Sequence, residues 1–262
     1  MARFCTLCSS SGGNASFIGT PEEGILIDAG INCKQLKLAL ASVGIDPSVI
    51  KAIFVTHEHS DHTAGLRVFA SSLNVPVYAT GGTLSGLNND GILNGKFPYA
   101  KLMPGGVSVG GIHIDWFRTS HDAKESCGYR VELRDRTVGI ATDTGVMTGD
   151  ILRGLSGCDL VLLESNYDEE LLQFSWYPPQ LKARIRSDMG HLSNPDCAQT
   201  AVELLDMGVR RIVLGHLSRE NNTPQKAYAC THSALKRAGA EDGVDYQLSV
   251  APVGCMEKVL IF

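Results

Sequence analysis

The segment Thr56-His57-Glu58-His59-Ser60-Asp61-His62 packs three imidazoles and two carboxylates into six residues, directly after the apolar run Ile50-Lys51-Ala52-Ile53-Phe54-Val55. A short apolar run rich in β-branched and aromatic residues predicts a buried strand. A strand that ends in such a cluster presents it at a sheet edge, where a metal ion can be held. The chain is therefore constrained to build a sheet whose rim is polar at this point.

Four further polar residues end comparable runs. These are Asp28 after Ile25-Leu26-Ile27, His121 after Trp116-Phe117-Arg118-Thr119-Ser120, Asp143 after Gly139-Ile140-Ala141-Thr142, and His216 after Ile212-Val213-Leu214-Gly215. One histidine after a strand means little, but this recurrence is hard to attribute to chance. His57, His59 and His121 can give three nitrogens to one metal, Asp61, His62 and His216 can serve a second, and Asp143 can bridge the two. Neutral imidazoles and hard carboxylate oxygens without a thiolate suit Zn, Mn or Fe. Two divalent cations against two carboxylates leave the centre net positive, which favours an anionic substrate such as a phosphate ester.

Length and composition limit what surrounds this cluster. The 262 residues and 44% apolar content suit a well-filled core, and a single domain over 1–262 is expected. No apolar stretch reaches eighteen residues and Met1–Cys8 carries no signal-like run, so the expectation is a cytoplasmic protein without a transmembrane helix. The eight cysteines are scattered, with Cys127, Cys158 and Cys197 in apolar surroundings, and read as reduced core thiols. Cys5-x-x-Cys8 lacks the helix or second pair that redox or zinc chemistry uses, so it reads as structural. The formal charge of −5 argues against a surface coated in cations for nucleic acid, though a local basic face stays open.

Strands are expected at 4–7, 16–18, 25–29, 50–56, 75–79, 112–117, 127–133, 138–142, 160–164, 211–215, 246–250 and 258–262. Helices are expected at 33–43, from about 64, at 148–156, at 195–207 with Asn194 as cap, and at 223–238. The Gly- and Asn-rich stretch 81–106 is expected to hold a short helix and an active-site loop. This alternation predicts the α/β class, as an αββα sandwich of two mixed sheets packed face to face with helices outside.

The pattern His57-x-His59-x-Asp61-His62, followed by His121, Asp143 and His216, resembles the metallo-β-lactamase superfamily over nearly the whole chain. That resemblance implies the αββα fold and a centre of two divalent ions, Zn2+, Mn2+ or Fe2+. Ser9-Ser10-Ser11-Gly12-Gly13-Asn14-Ala15-Ser16, Leu163-Glu164-Ser165-Asn166-Tyr167-Asp168, Gly190-His191-Leu192-Ser193-Asn194 and residues 214–222 are similar to the WalJ/YycJ branch. The likeness implies a 5′-to-3′ exonuclease with DNA as substrate. It also implies that Asp28 orders the histidine loop through hydrogen bonds, and that Glu58 lies behind the ligands or faces solvent. His191 resembles a histidine that works with a glutamate in the tRNA-processing phosphodiesterases, and Glu164 matches that glutamate.

Gly190–Asn194 also opens a helix whose free N–H groups can hold an anion. His191 is thus a candidate proton donor or phosphate clamp, with Glu164 holding its tautomer. Asp61 would accept a hydrogen bond from the attacking water while binding metal, which makes Asp61, His191 and Glu164 the candidate catalytic set. The basic run Lys182, Arg184 and Arg186 reads first as a solvated helix face, with contact to a nucleic-acid backbone as the alternative.

Spacing argues against several relatives. The 72 residues between Asp143 and His216 leave no room for the long insert of RNA-cleaving β-CASP enzymes, and the 21 between His121 and Asp143 exclude a tRNA-gripping arm. True β-lactamases usually lack an Asp at position 143, and neither a glyoxalase II helical domain nor a flavodoxin domain is present. The expected reaction is two-metal hydrolysis of a phosphodiester. The rival enzyme is a small-molecule phosphodiesterase with a closed pocket, where a nuclease needs a positive groove. The rival of another class is a non-catalytic metal-binding regulator.

Overall fold

The computed structural model describes residues 1–262 apart from 94–96, 99, 104, 256 and 257. Strands β1 (Arg3–Ser10), β2 (Gly13–Gly19), β3 (Gly24–Ile27), β4 (Ile50–Phe54), β5 (Val77–Ala79) and β6 (Ala100–Leu102) form the first sheet. Strands β7 (Val107–Val109), β8 (Ile112–Arg118), β9 (Cys127–Leu133), β10 (Arg136–Ala141), β11 (Leu160–Glu164), β12 (Arg211–Gly215) and β13 (Gln247–Val250) form the second. The last strand, β14 (Leu260–Ile261), returns to the first sheet and pairs antiparallel with β1. Both sheets are mixed: β1–β3 and β7–β10 are antiparallel, while β3–β6 and β10–β13 run parallel.

The strands are continuous apolar runs because both faces of each sheet are covered, and the period of two sorts residues between layers. Ile25, Ile27, Ala52 and Phe54 face the second sheet, where Tyr129, Val131, Ile140, Leu162 and Val213 meet them. Their neighbours Leu26, Ile53 and Val55 face the other way, onto helices α1 (Cys33–Ser42) and α3 (Leu66–Leu73), which flank the one-turn α2 (Ser60–Thr63). On the far side Val161, Leu163, Ile212 and Leu214 pack under α5 (Gly149–Leu155), α8 (Asn194–Asp206) and α9 (Pro224–Arg237). The layer order is therefore helix, sheet, sheet, helix, as the sequence predicts. At the middle of the inter-sheet core Phe54 stacks on Tyr78 at 4.9 Å and meets Tyr129 edge-on at 5.8 Å.

Some boundaries differ from the sequence expectation. Ser193, not Asn194, caps α8, its side chain accepting from the Asp196 N–H, so Asn194 is the first helical residue. The short helix expected after residue 81 is α4 (Gly81–Asn89). Among the described residues from 81 to 106 none lines the candidate cleft, so none of them forms the expected active-site loop; residues 94–96, 99 and 104 of that stretch lie outside the described residues. This part of the cleft wall comes instead from Tyr177 and the seven-residue α7 (Pro179–Ile185), which follow the six-residue α6 (Glu169–Phe174). At that length a helical period has no second turn in which to repeat.

Candidate metal centre

The polar residues that end the strands meet at one end of the sandwich. Asp28, Asp143 and His216 follow β3, β10 and β12 with φ of 62°, 57° and 54°. This left-handed conformation turns the chain sharply off the sheet at a cost of about 1–2 kcal/mol per residue outside glycine. Its appearance three times around one site is a construction cost the surrounding packing sustains.

The side chains fall into groups whose ligand atoms all lie within 4.8 Å of one another: His57, His59 and His121; Asp61, His62 and His216; His57, His62 and Asp143; and Asp143, Glu164, His191 and His216. Asp143 thus stands between the two sets. Its Oδ2 is 3.2 Å from His62 Nε2, and its Oδ1 is 3.6 Å from Nε2 of both His121 and His216. His57 Nε2 and His59 Nδ1 face each other at 3.0 Å.

The far ring nitrogens are fixed. His62 Nδ1 donates to Asp28 Oδ2 at 2.8 Å, and His121 Nδ1 donates to the Gly190 carbonyl at 3.0 Å. His216 Nδ1 donates to Glu164 Oε1 at 2.8 Å. Each bond selects a tautomer that leaves Nε2 for the centre. Asp28 also accepts from the Thr56 N–H at 2.8 Å and its hydroxyl at 2.9 Å, which pins the start of the histidine segment. Asp28 is thus a brace behind the ligands.

Divalent cations fit this set. Asp143 Oδ2 and His216 Nε2 are buried without a hydrogen-bond partner, an expensive condition unless a cation is their partner. Burial lowers the pKa of His57 well below the imidazole range and lowers that of His121, which keeps both neutral as ligands. Burial works against charging His62, yet the carboxylates of Asp143, Asp28 and Asp61 outweigh it and raise its pKa well above the usual value. His216 rises to about 10 in the same way, against burial, through Asp143, Asp61 and Glu164. Burial opposes ionisation of Asp143 and Asp61 too, but His216 and His62 hold both carboxyls below their ordinary range. Carboxylates that draw positive charge onto two imidazoles would draw metal ions to the same nitrogens, with release of those protons.

The cleft beside these atoms is about 210 Å³ and is lined by Ser11, Asn166, Tyr177, Leu181, Arg184, Ile185, His191 and Ser218 together with ligand residues. His191 Nδ1 donates to the same Glu164 Oε1 at 2.8 Å, and Glu164 Oε2 accepts from the Thr144 N–H at 2.8 Å. The α8 terminus does not serve as an anion site: the Asn194 N–H bonds to Tyr167 O, the Asp196 N–H bonds to Ser193 Oγ, and Pro195 has no donor. Glu58 does not face solvent. It is buried, accepts from the Lys124 N–H at 2.9 Å, and packs where a side chain at Gly86 would sit.

A family model described as a beta-lactamase superfamily domain matches residues 24–217. The chain belongs to the metallo-β-lactamase superfamily. Exodeoxyribonuclease WalJ of Streptococcus pneumoniae serotype 2 is 34% identical over 249 residues, covering 94% of this chain and 93% of that protein. Exodeoxyribonuclease YycJ of Bacillus anthracis is 32% identical over the same length and shares. Among solved structures, the metallo-β-lactamase fold protein YhfI of Bacillus subtilis superposes with a TM-score of 0.71 at 14% identity, covering 97% of this chain and 98% of that one. This last likeness is one of fold.

Within this superfamily fold, several residues of the site carried no individual role in the sequence. Asn14 Nδ2 lies 3.1 Å from His62 Nε2 and donates to Asp61 Oδ2 at 3.3 Å; Ser9 Oγ accepts from the His216 N–H at 2.9 Å. Asn166 Nδ2 donates to the His216 carbonyl at 2.8 Å. Ser165, Asn194 and Asn222 form a buried mesh, with Ser165 Oγ to Asn194 Oδ1 at 2.7 Å and Asn222 Nδ2 to Ser165 O at 2.8 Å. The Ser/Asn-rich stretches that carry the resemblance are the braces of the ligand loops.

Of the basic run, Lys182 donates to the carbonyls of Gln173 and Ser175, and Arg184 pairs with Asp122, its Nη2 at 2.9 Å. Arg184 is the one lysine or arginine lining the cleft among the described residues. Also among them, no helix is long and apolar enough to cross a membrane.

Proposed function

We propose that the protein is a metal-dependent phosphodiesterase acting on DNA, an exonuclease that works from the 5′ end with two divalent ions, Zn2+, Mn2+ or Fe2+. The observation that carries this reading is the convergence of two ligand sets on Asp143, with the His191–Glu164 pair alongside. The names of the WalJ and YycJ relatives, both exodeoxyribonucleases, supply the substrate class. His57, His59 and His121 would hold one ion and Asp61, His62 and His216 the other, with Asp143 between them. Bound there, such ions acidify water and neutralise charge that builds on the phosphoryl oxygens.

The chain's own groups do the rest. Asp61 accepts a hydrogen bond from the attacking water and turns its lone pair toward phosphorus. Arg184, held by Asp122, contacts a non-bridging oxygen. The Glu164 carboxylate accepts from His191 Nδ1 and so holds the ring with Nε2 turned to the cleft, where Nε2–H protonates the departing oxygen. A cleft of about 210 Å³ takes a phosphodiester group but falls below the roughly 300–1,000 Å³ that encloses a drug-sized ligand. This favours a polymer laid across the opening over a small cyclic phosphate, and bound ions, rather than a run of lysines and arginines, would make that opening positive. One domain over 1–262 and a cytoplasmic location complete the proposal.

The test is the rate on end-labelled duplex DNA beside that on bis(p-nitrophenyl) phosphate at equal metal loading. Stepwise loss of nucleotides from the 5′ end supports the proposal. Turnover of the small diester alone favours the small-molecule enzyme, and turnover of neither with metal bound favours the regulator.

A further inference from the structure

The end of α6 and the turn that leads to α7 carry two large apolar side chains in water, Phe174 at 77% and Trp176 at 78% exposure. Single exposed apolar residues are ordinary, but Trp176 touches a residue of the cleft wall. The Trp176 ring meets Tyr177 edge-on, with centroids 4.9 Å apart and planes at 89°, and Tyr177 lines the cleft. From there α7 runs to Arg184 on the same wall. An indole, a phenol and a guanidinium thus lead toward the ligand set.

The turn is also held in place. Lys182 Nζ donates to the Gln173 and Ser175 carbonyls, both at 2.7 Å, and Ser175 Oγ donates to Leu172 O at 2.9 Å. Beneath it Leu172 packs with Tyr167 and Ile185, and Tyr177 and Leu181 close over them. A rigid turn that leaves two aromatic faces unburied is preorganised for a planar apolar partner.

We propose that Trp176, with Phe174 beside it, is a stacking platform for an unpaired nucleobase of the strand whose phosphodiester enters the cleft. This rests on the nuclease reading above. A base is the planar group that every nucleic-acid phosphodiester brings with it, and indole stacks on all four bases, so the platform grips without reading sequence. Arg184 meets the phosphate and Trp176 meets the flanking base. Lys182 is a positioning residue that holds the turn.

The experiment compares KM and kcat on single-stranded DNA, intact or carrying one abasic nucleotide at each of the first three positions from either end. The enzymes are the metal-loaded wild type, Trp176→Ala and Trp176→Phe. The proposal expects one abasic position to raise the wild-type KM about 5-fold or more, within the range that loss of a base stack gives. Trp176→Ala should show that increase on intact DNA, with kcat held and no further sensitivity to the abasic site, and Trp176→Phe should recover most of the loss. Equal abasic sensitivity in wild type and Trp176→Ala, or an unchanged KM in Trp176→Ala while wild type shortens DNA, overturns the platform and leaves the nuclease reading standing. Failure of the metal-loaded wild type to shorten intact single-stranded DNA overturns the platform, and failure on intact duplex DNA as well overturns both.

Discussion

Glu164 Oε1 lies 2.8 Å from His191 Nδ1, and the same oxygen lies 2.8 Å from Nδ1 of His216. One buried carboxylate therefore orients a candidate ligand and a candidate proton donor together. Burial alone would raise its pKa, but His191 and His216 outweigh that and hold it below the usual glutamate value.

Glu164→Gln is expected to affect both functions, because an amide cannot accept from both imidazoles and from the Thr144 and Leu192 N–H groups as the carboxylate does. Metal affinity should fall about 10- to 100-fold, measured by competition with a chelator. His191→Ala should instead leave the metal content intact and lower turnover about 100- to 10,000-fold. Loss of metal in His191→Ala would mean that His191 is a ligand.

Asp28→Asn separates charge from backbone geometry. Asn tolerates the left-handed conformation at φ 62°, so the turn survives, while the charge-assisted bond to His62 Nδ1 is lost. Metal affinity should fall about 10- to 100-fold, and the melting temperature of the metal-free protein should fall too, because the same buried bond is lost there.

Arg184→Gln tests for a backbone contact. If Arg184 touches a phosphate, the variant should raise KM for DNA and reduce the slope of log KM against log salt by about 1. An unchanged slope would assign Arg184 to its pair with Asp122 alone.

How much of this was legible depended on the length of the pattern. Strands such as Leu160–Glu164 and Arg211–Gly215 are buried on both faces, so their apolar runs stand out and the polar residue that ends each run marks the rim. The sequence could not show that one carboxylate, Glu164, serves two histidines, because the positions are 27 and 52 residues apart and meet only across the folded rim. The cleft wall was hidden for another reason. Pro179–Ile185, which with Tyr177 supplies that wall, is too short for periodicity and buries only Ile185. Asn14 and Asn166 were visible only as parts of Ser/Asn-rich loops, since an amide carries no sign of which loop it will brace.

The buried thiols give a pH prediction independent of the metals. Burial pushes Cys127 and Cys197 up to about 12 and Cys158 up to about 11, from 9.0. Below pH 9 the thiols are protonated in both states and cost nothing. As pH rises from 9 toward 11 the unfolded chain ionises first and gains up to about 1.4 kcal/mol per group per pH unit. The difference in urea midpoint between wild type and Cys197→Ala, both in reductant, cancels the titrating histidines; it should be flat from pH 7 to 8.5 and shift above 9 as wild type loses the contribution of that thiol.

The most direct measurement is nucleotide release from 5′-labelled duplex DNA as metal-free protein is titrated with Mn2+ or Zn2+, run beside Asp143→Ala. The account predicts release that climbs through two equivalents of metal and is absent in the variant. Two ions bound without release, or equal release by Asp143→Ala, would contradict it.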